Sequence, residues 1–434
     1  MLQRIGDAHY GRGAWIDCAE AYEAAAARAA DSGLTSARVH ALRGLIRAFG
    51  VLDPDRGIAA VEQAVRLSAT LDDPLLHART ELLAAGIRLT YDTWRMKDWE
   101  TCAFAYETIH RLSASGPPAF DRVAYAQLQV QRGDYAEALK NLDAGIPKEN
   151  ESTSIMLPMF ALSVRTLALL YSGRLGELVR LLRAGRDIAE TNGNEPWLFV
   201  YREAWLRTAL LDFAGARELC KQMAARTTAA YWRGPAQSIG RIASACAALE
   251  QGKYDEASRS FAKVLDPKKT PKFFLHWIWR MHAELGLCNV WLASGSLRKA
   301  RFEADRLRRS ALSTAEPNLH ALAWDVDARV AMAEKDWKGA EEKIETALTI
   351  LLKFEIPVTA WRVHATRSDL CRRARNEAAA EAHRAQAETI ILALANSFAP
   401  DDPLRDAFLA AAPVRRILRP SDGNKGKRQR RALR

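Results

Sequence analysis

Along this chain an aromatic or apolar residue is repeatedly followed by a small one three positions on and a larger apolar one seven positions on. The stretch RGDYAEALKNLDAGIP, residues 132–147, shows the pattern with Tyr135, Ala138, Leu142 and Gly145. Such spacing puts the four side chains on one stripe of an α-helix, as a helix packed along a single seam requires. The stretch QGKYDEASRSFAKVLDP, residues 251–267, repeats it with Tyr254, Ala257, Phe261 and Val264, and EKDWKGAEEKIETALTIL with Trp337, Ala340, Ile344 and Ala347.

Further copies are Trp15/Cys18/Tyr22, Ile58/Val61/Val65, Trp99/Cys102/Tyr106, Leu175/Leu178/Leu182, Phe213/Ala216/Cys220 and Leu297/Ala300/Ala304, with a degraded one from Glu377 through Ala380 and Ala387. Their first residues step along the chain by 36 to 43 positions. Nine residues before each start stand Gly6, Phe49, Thr90, Ala126, Thr166, Ala204, Ala245, Cys288, Ala328 and Ser368, all small except Phe49. A small residue at a fixed offset is what a close crossing by a preceding helix needs, because a large one pushes the backbones apart. Each unit therefore reads as two helices joined by a short Gly- or Asp-bearing turn. Looser connections such as SGPP, NGNEP, DPKKTP and AEPN separate the units. No single hairpin can bury its stripe alone, so ten of them predict an all-α solenoid with one continuous core.

The Gly-Asp/Lys-Tyr-x-x-Ala grammar, the small residue in the first helix and the Pro after the second resemble tetratricopeptide repeats. The match is strongest over 119–147 and 238–267 and extends over most of 1–395. It departs in length, with units of about 40 residues where that family has about 34. The long form resembles the C-terminal helical-repeat sensor region of bacterial STAND-type ATPase transcriptional regulators. AVEQAVRLSATLDDPLLHARTELLAAGIRL at 60–89 and DDPLRDAFLAAAPVRRIL at 401–418 resemble segments of that region. The resemblance implies a right-handed superhelix that presents its first helices on a concave surface, in a cytoplasmic signalling or transcriptional system.

Composition fits an ordinary chain with a core, at 49% hydrophobic and 26% charged residues. The six cysteines, Cys18, Cys102, Cys220, Cys246, Cys288 and Cys371, form no CxxC pair, and four of them fall on seam or close-contact positions. Cysteine serves there as a small apolar side chain, and a reducing cytoplasm is the expected compartment. The N-terminal MLQRIGDAHYGRG lacks a basic-then-apolar signal pattern, and the most apolar run, SIMLPMFALSVRTLALL, is broken by Pro158 and Arg165. Of the formal charge of +11, +6 sits on residues 419–434, RPSDGNKGKRQRRALR. The solenoid is thus only mildly basic.

Signatures of catalysis are missing. There is no GxxxxGK[ST], HExxH, GxSxG or CxxC, so the resemblance covers only the repeat region of STAND regulators and carries over no nucleotide hydrolysis. His276 and His282 are six apart, on different faces of one helix, and Glu341–Glu342 suit a solvated helix face. Neither a metal nor a cofactor is expected. Trp15, Trp99 and Trp337 fall on the seam and are expected in the core.

Transferring the tetratricopeptide register places Tyr91, Trp94, Arg95, Gln127, Gln131, Tyr201, Trp205, Glu250, His282, Asn289, Asp325, Arg329, Arg372 and Arg373 near the concave groove. Aromatic and Arg side chains among polar neighbours suit a peptide partner. Tyr201 and Trp205, four apart on one helix, fit either groove contact or core packing. FFLHWIWRMH at 273–282 carries too many aromatics for one stripe, so it either buries on two sides or exposes a patch.

The expected organisation is a solenoid over 1–395, a capping segment over 396–418 opened by the N-cap pair Asp402–Pro403, and a disordered basic tail over 419–434. The first helix begins near residue 1 without a polar capping helix. That points to a partner or an upstream ATPase or DNA-binding module at this end, or to a fragment. The expected function is non-catalytic recognition of a protein segment or small effector. The alternative is a nucleic-acid-associated regulator anchored by Lys425, Lys427, Arg428, Arg430, Arg431 and Arg434, with no interleaved aromatic for base stacking.

Overall fold

The computed structural model describes all residues except 12–13, 92–93, 146–155, 192–195, 227–229, 271–272 and 419–434; the six tail cations lie outside the described residues. The described chain is all-helical, without strands, and runs as ten antiparallel hairpins: α1 (Leu2–Gly11) with α2 (Trp15–Asp31), α3 (Thr35–Leu52) with α4 (Pro54–Ser68), α5 (Pro74–Tyr91) with α6 (Met96–Leu112), α7 (Ala119–Arg132) with α8 (Tyr135–Gly145), and α9 (Met156–Tyr171) with α10 (Leu175–Thr191). There follow α11 (Trp197–Ala209) with α12 (Phe213–Arg226), α13 (Ala230–Glu250) with α14 (Tyr254–Leu265), α15 (His276–Ala293) with α16 (Leu297–Leu312), α17 (Pro317–Glu334) with α18 (Trp337–Lys353), and α19 (Pro357–Arg373) with α20 (Glu377–Asn396). Two short helices, α21 (Pro403–Ala410) and α22 (Ala412–Leu418), pack on α20. The whole is a right-handed superhelical solenoid.

The seam is where the spacing puts it. Ala138, Leu142, Ala257, Phe261, Ala340 and Ile344 are all fully enclosed, and the ten upstream positions from Gly6 to Ser368 are all buried. Eight of the second helices begin on the residue that opens the pattern, among them Trp15, Tyr135, Leu175 and Tyr254. Short polar side chains set several starts: Asp336 Oδ1 accepts from Gly339 N at 2.9 Å, Asn376 Oδ1 from Ala379 N at 3.1 Å and Asp402 Oδ1 from Leu404 N at 3.0 Å.

Two expectations need correction. In α4 the buried stripe is Gly57, Val61, Ala64 and Ser68, shifted from Ile58/Val61/Val65. Phe49 is the cause. As the one large residue at a close crossing it needs a partner without a side chain, and a Cβ on Gly57 would stand 3.4 Å from Phe49 Cβ and 3.3 Å from Gly50 N. Trp337 is not core but 44% exposed, and its ring lies under the Arg373 guanidinium at 5.9 Å.

The superhelix returns to itself after five hairpins. At its first return, Trp277 Nε1 on α15 donates to Leu89 O at 3.1 Å, and Leu275 N to Thr90 O at 3.1 Å. One hairpin further on, Asn318 Nδ2 donates to the Tyr135 hydroxyl at 3.0 Å, while Thr359 Oγ1 donates to Asn318 Oδ1 at 2.8 Å. Beyond that, α9 meets α19, and Arg183 on α10 pairs with Asp402 at 3.2 Å. Hairpins three, four and five therefore pack on their neighbours in sequence and also on hairpins eight, nine and ten, one superhelical turn away.

Candidate functional site

The return of the chain fills much of the concave side. FFLHWIWRMH buries on several sides at once: Phe273, Leu275, Trp277, Ile278, Trp279 and Met281 are all enclosed. Trp277 packs on Trp94 at 6.2 Å between centroids and Phe274 on Tyr91 at 5.9 Å, while Trp279 lies 4.4 Å from Trp205 and donates its Nε1 to Tyr201 OH at 2.9 Å. Tyr91, Trp94, Tyr201 and Trp205, read from the register as near the groove, are thus interior side chains with little or no solvent contact. Gln127 is buried and donates to Thr90 Oγ1 at 2.8 Å. Gln131 is buried with neither side-chain polar atom partnered.

Arg202, on α11 beside Tyr201, belongs to this interior and was not singled out by the register. It is 2% exposed. Its Nη2 donates to Ser163 Oγ on α9 at 3.2 Å, and its Nε and Nη1 have no acceptor. The guanidinium lies 5.0 Å from the Tyr201 ring, 5.3 Å from Trp205 and 5.6 Å from Phe274. The titratable groups acting on it are the hydroxyls of Tyr201 and Tyr171, and burial holds its pKa below the usual guanidinium range. A desolvated ring contact returns about 2 kcal/mol, while a buried ion without a counter-charge costs several. Its charge is incompletely compensated. The sequence signal was an Arg inside the apolar run WLFVYREAWL, masked because Arg usually snorkels out of such a run.

Toward the C-terminus the concave side keeps a polar row that reaches water. Asn289 on α15 accepts from Arg329 Nη1 on α17 at 2.9 Å, and Arg329 lies 3.9 Å from Asp325, which faces Thr366 on α19. The Arg329 side chain is 40% exposed, whereas Asp325 is buried and its carboxyl is pushed up chiefly by that burial. Nearby, Arg362 on α19 donates to Ala209 O at 3.2 Å and is lowered to about 10 by burial. His282, half-buried against Trp279, is lowered to about 4 by burial and by Arg362, so it is neutral at pH 7.

The remaining positions do not join this row. Arg95 and Glu250 are exposed, and Glu250 is pushed up by partial desolvation. Arg372 pairs with Asp369 at 2.9 Å, and Arg373 covers Trp337. The structure therefore gathers most of the predicted residues into an aromatic interior and a short polar row on α15, α17 and α19, and leaves Arg95, Glu250, Arg372 and Arg373 outside both. Sequence reading missed a third feature, a cleft of about 390 Å³ on α16–α18. There Arg301 and Arg308, two helical turns apart, both pair with Asp327, and Arg308 lies 5.4 Å over Trp324.

Cys18, Cys102, Cys220, Cys288 and Cys371 are buried, and burial pushes the Cys220 and Cys288 thiols to about 12, a setting without reactivity at neutral pH. Among the described residues no three His, Cys, Asp or Glu side chains are grouped to hold a metal ion. Likewise, no described helix is long and apolar enough to cross a membrane.

Compared with known proteins, a chain in the crystal structure of the APC/C hetero-tetramer Cut9–Hcn1 is similar over 96% of this chain and 90% of that one, with a TM-score of 0.50 and 12% identity. The fold is a tetratricopeptide-like helical-repeat solenoid. At that identity the likeness is one of fold. No family model matches the chain, and no curated protein does.

Proposed function

We propose that this solenoid is a non-catalytic scaffold recognising a protein segment, in a cytoplasmic regulatory system of the kind its resemblance to STAND-type sensor regions implies. The polar row Asn289–Arg329–Asp325–Thr366 carries the reading. Three consecutive first helices hold it, Asn289 and Asp325 hold Arg329 between them, and the Arg329 side chain keeps part of its surface in water. A preorganised row of donors and acceptors on rigid elements binds an extended segment with little ordering cost on the scaffold side. The similar chain in the Cut9–Hcn1 hetero-tetramer, which has the same fold and is part of a protein assembly, adds support.

The test is a crosslinking pull-down from the source cell with the intact chain, with Asn289→Ala/Arg329→Ala, and with residues 419–434 deleted. The scaffold reading expects the double variant to lose its partner by about tenfold or more, since each buried or half-buried hydrogen bond to a charged group is worth roughly 1.5–3 kcal/mol, with the tail deletion unaffected. Equal retention by the double variant rules out the row. Loss of salt-dependent DNA or RNA retention on tail deletion would instead support the nucleic-acid alternative. Nucleotide hydrolysis by the purified chain would overturn the non-catalytic reading.

A further inference from the structure

A buried cation without a counter-ion is rare in a packed interior, because nothing there replaces the water it has lost. Arg202 is such a group. Its hydrogen bond to Ser163 uses one of five N–H donors. Nε and Nη1 are left facing protein without an acceptor, and Tyr201, Trp205 and Phe274 surround the guanidinium with ring faces that hold a cation in place but accept no conventional hydrogen bond. Trp94 Nε1, whose ring packs on Trp277 in the same aromatic interior, is another buried donor without an acceptor. Around Arg202 the surface is aromatic, and the titratable groups acting on it are the neutral hydroxyls of Tyr201 and Tyr171.

We propose that Arg202 anchors an internal oxyanion site, taking the carboxylate or phosphoryl group of a small ligand inside the superhelix. The proposal is independent of the polar row on α15, α17 and α19. The oxyanion accepts from Arg202 Nε or Nη1, and an aromatic or apolar body on the ligand packs against Trp205 and Phe274. Of the three rings around the guanidinium only Phe274 is half-buried, so it is the ring that moves to admit a ligand. It sits on the segment that returns from hairpin seven to hairpin eight and closes the superhelix against α5. Occupancy of this site therefore acts on the contact between successive superhelical turns, which makes the site suited to sensing an effector.

Thermal unfolding of the full chain tests this with inorganic phosphate, acetate and benzoate, each against chloride at matched ionic strength. The variants are Arg202→Met, which keeps the length and removes the charge, and Arg202→Lys. The intact protein is expected to gain a saturable rise of about 2 °C or more with at least one oxyanion at roughly a hundred times its dissociation constant. Phosphate as the responder assigns a phosphoryl ligand, and acetate or benzoate a carboxylate. Arg202→Met is expected to melt above the intact protein without ligand and to lose the response, with Arg202→Lys retaining part of it. Equal responses in the intact and Arg202→Met proteins would overturn the proposal, since the anion then acts elsewhere. No response in the intact protein, or an Arg202→Met protein that melts lower, would also overturn it by making Arg202 a structural cation held by its ring contacts alone.

Discussion

Glu316 shows how one side chain ties local and distant structure together. As the N-cap of α17 its carboxylate accepts from Asn318 N at 3.2 Å and Leu319 N at 2.6 Å, and also from the Asn318 amide that reaches Tyr135 a superhelical turn away. Burial nevertheless raises its pKa to about 7, against the hydrogen bonds that lower it. Tyr135 and Tyr171, which face it, are themselves pushed far up by burial and stay neutral across this range. The folded carboxyl thus holds a proton that the unfolded chain releases near its ordinary value of 4.5, so the contribution falls as pH rises from about 4.5 to about 7. Its size is on the order of 3 kcal/mol. Melting temperatures across that range should decline more steeply in the intact protein than in Glu316→Gln; parallel curves would show that another group governs the slope. Single residues also mark where sequence reading was weakest. Trp337 carries the seam pattern yet lies exposed beside Arg373, and Ile58 yields its place to Gly57. In each case one local partner outweighs a periodic signal too short to fix which face turns inward.

At the scale of elements, the hairpins were legible because every copy solves the same packing problem with the same spacing. A small residue in the first helix faces the stripe of the second, and the ten copies test one another. The segment 273–282 breaks the period because it answers to two environments, its own hairpin and α5. Its packing predicts a strong contrast. Trp277→Ala removes a buried indole and its bond to Leu89 O, and should cost about 3–5 kcal/mol in urea unfolding. Leu352→Ala, on a side chain 88% exposed, should stay within about 0.5 kcal/mol of the intact protein. Similar losses in the two variants would mean that the return segment adds nothing beyond its own hairpin.

For the whole molecule, the period specifies how each unit meets the next but says nothing of the superhelical pitch. The contacts that close each turn join residues 183 and 188 positions apart, Tyr135 with Asn318 and Leu89 with Trp277, and no repeated pattern encodes them. This is why the register put Tyr201 and Trp205 near an open groove when the interior is filled. The closure can be tested at Gly176, where a Cβ would stand 1.8 Å from the Ser397 carbonyl oxygen, a backbone atom that cannot rotate away. Gly176→Ala should force α10 and the segment before α21 apart, breaking the Arg183–Asp402 pair. Amide exchange in α20–α22 should then speed up by about tenfold or more, since a loss above roughly 1.4 kcal/mol is enough, while α1–α4 keep their rates. Unchanged exchange in α20–α22 would mean that the turns touch without stabilising one another. If they do stabilise one another, the coil has mechanical consequences. An open spring pulled at its ends lengthens loop by loop at low force. In this one the Asn318 clasp binds the loops side by side, so it resists extension as a rod until the clasp breaks and only then yields as a spring.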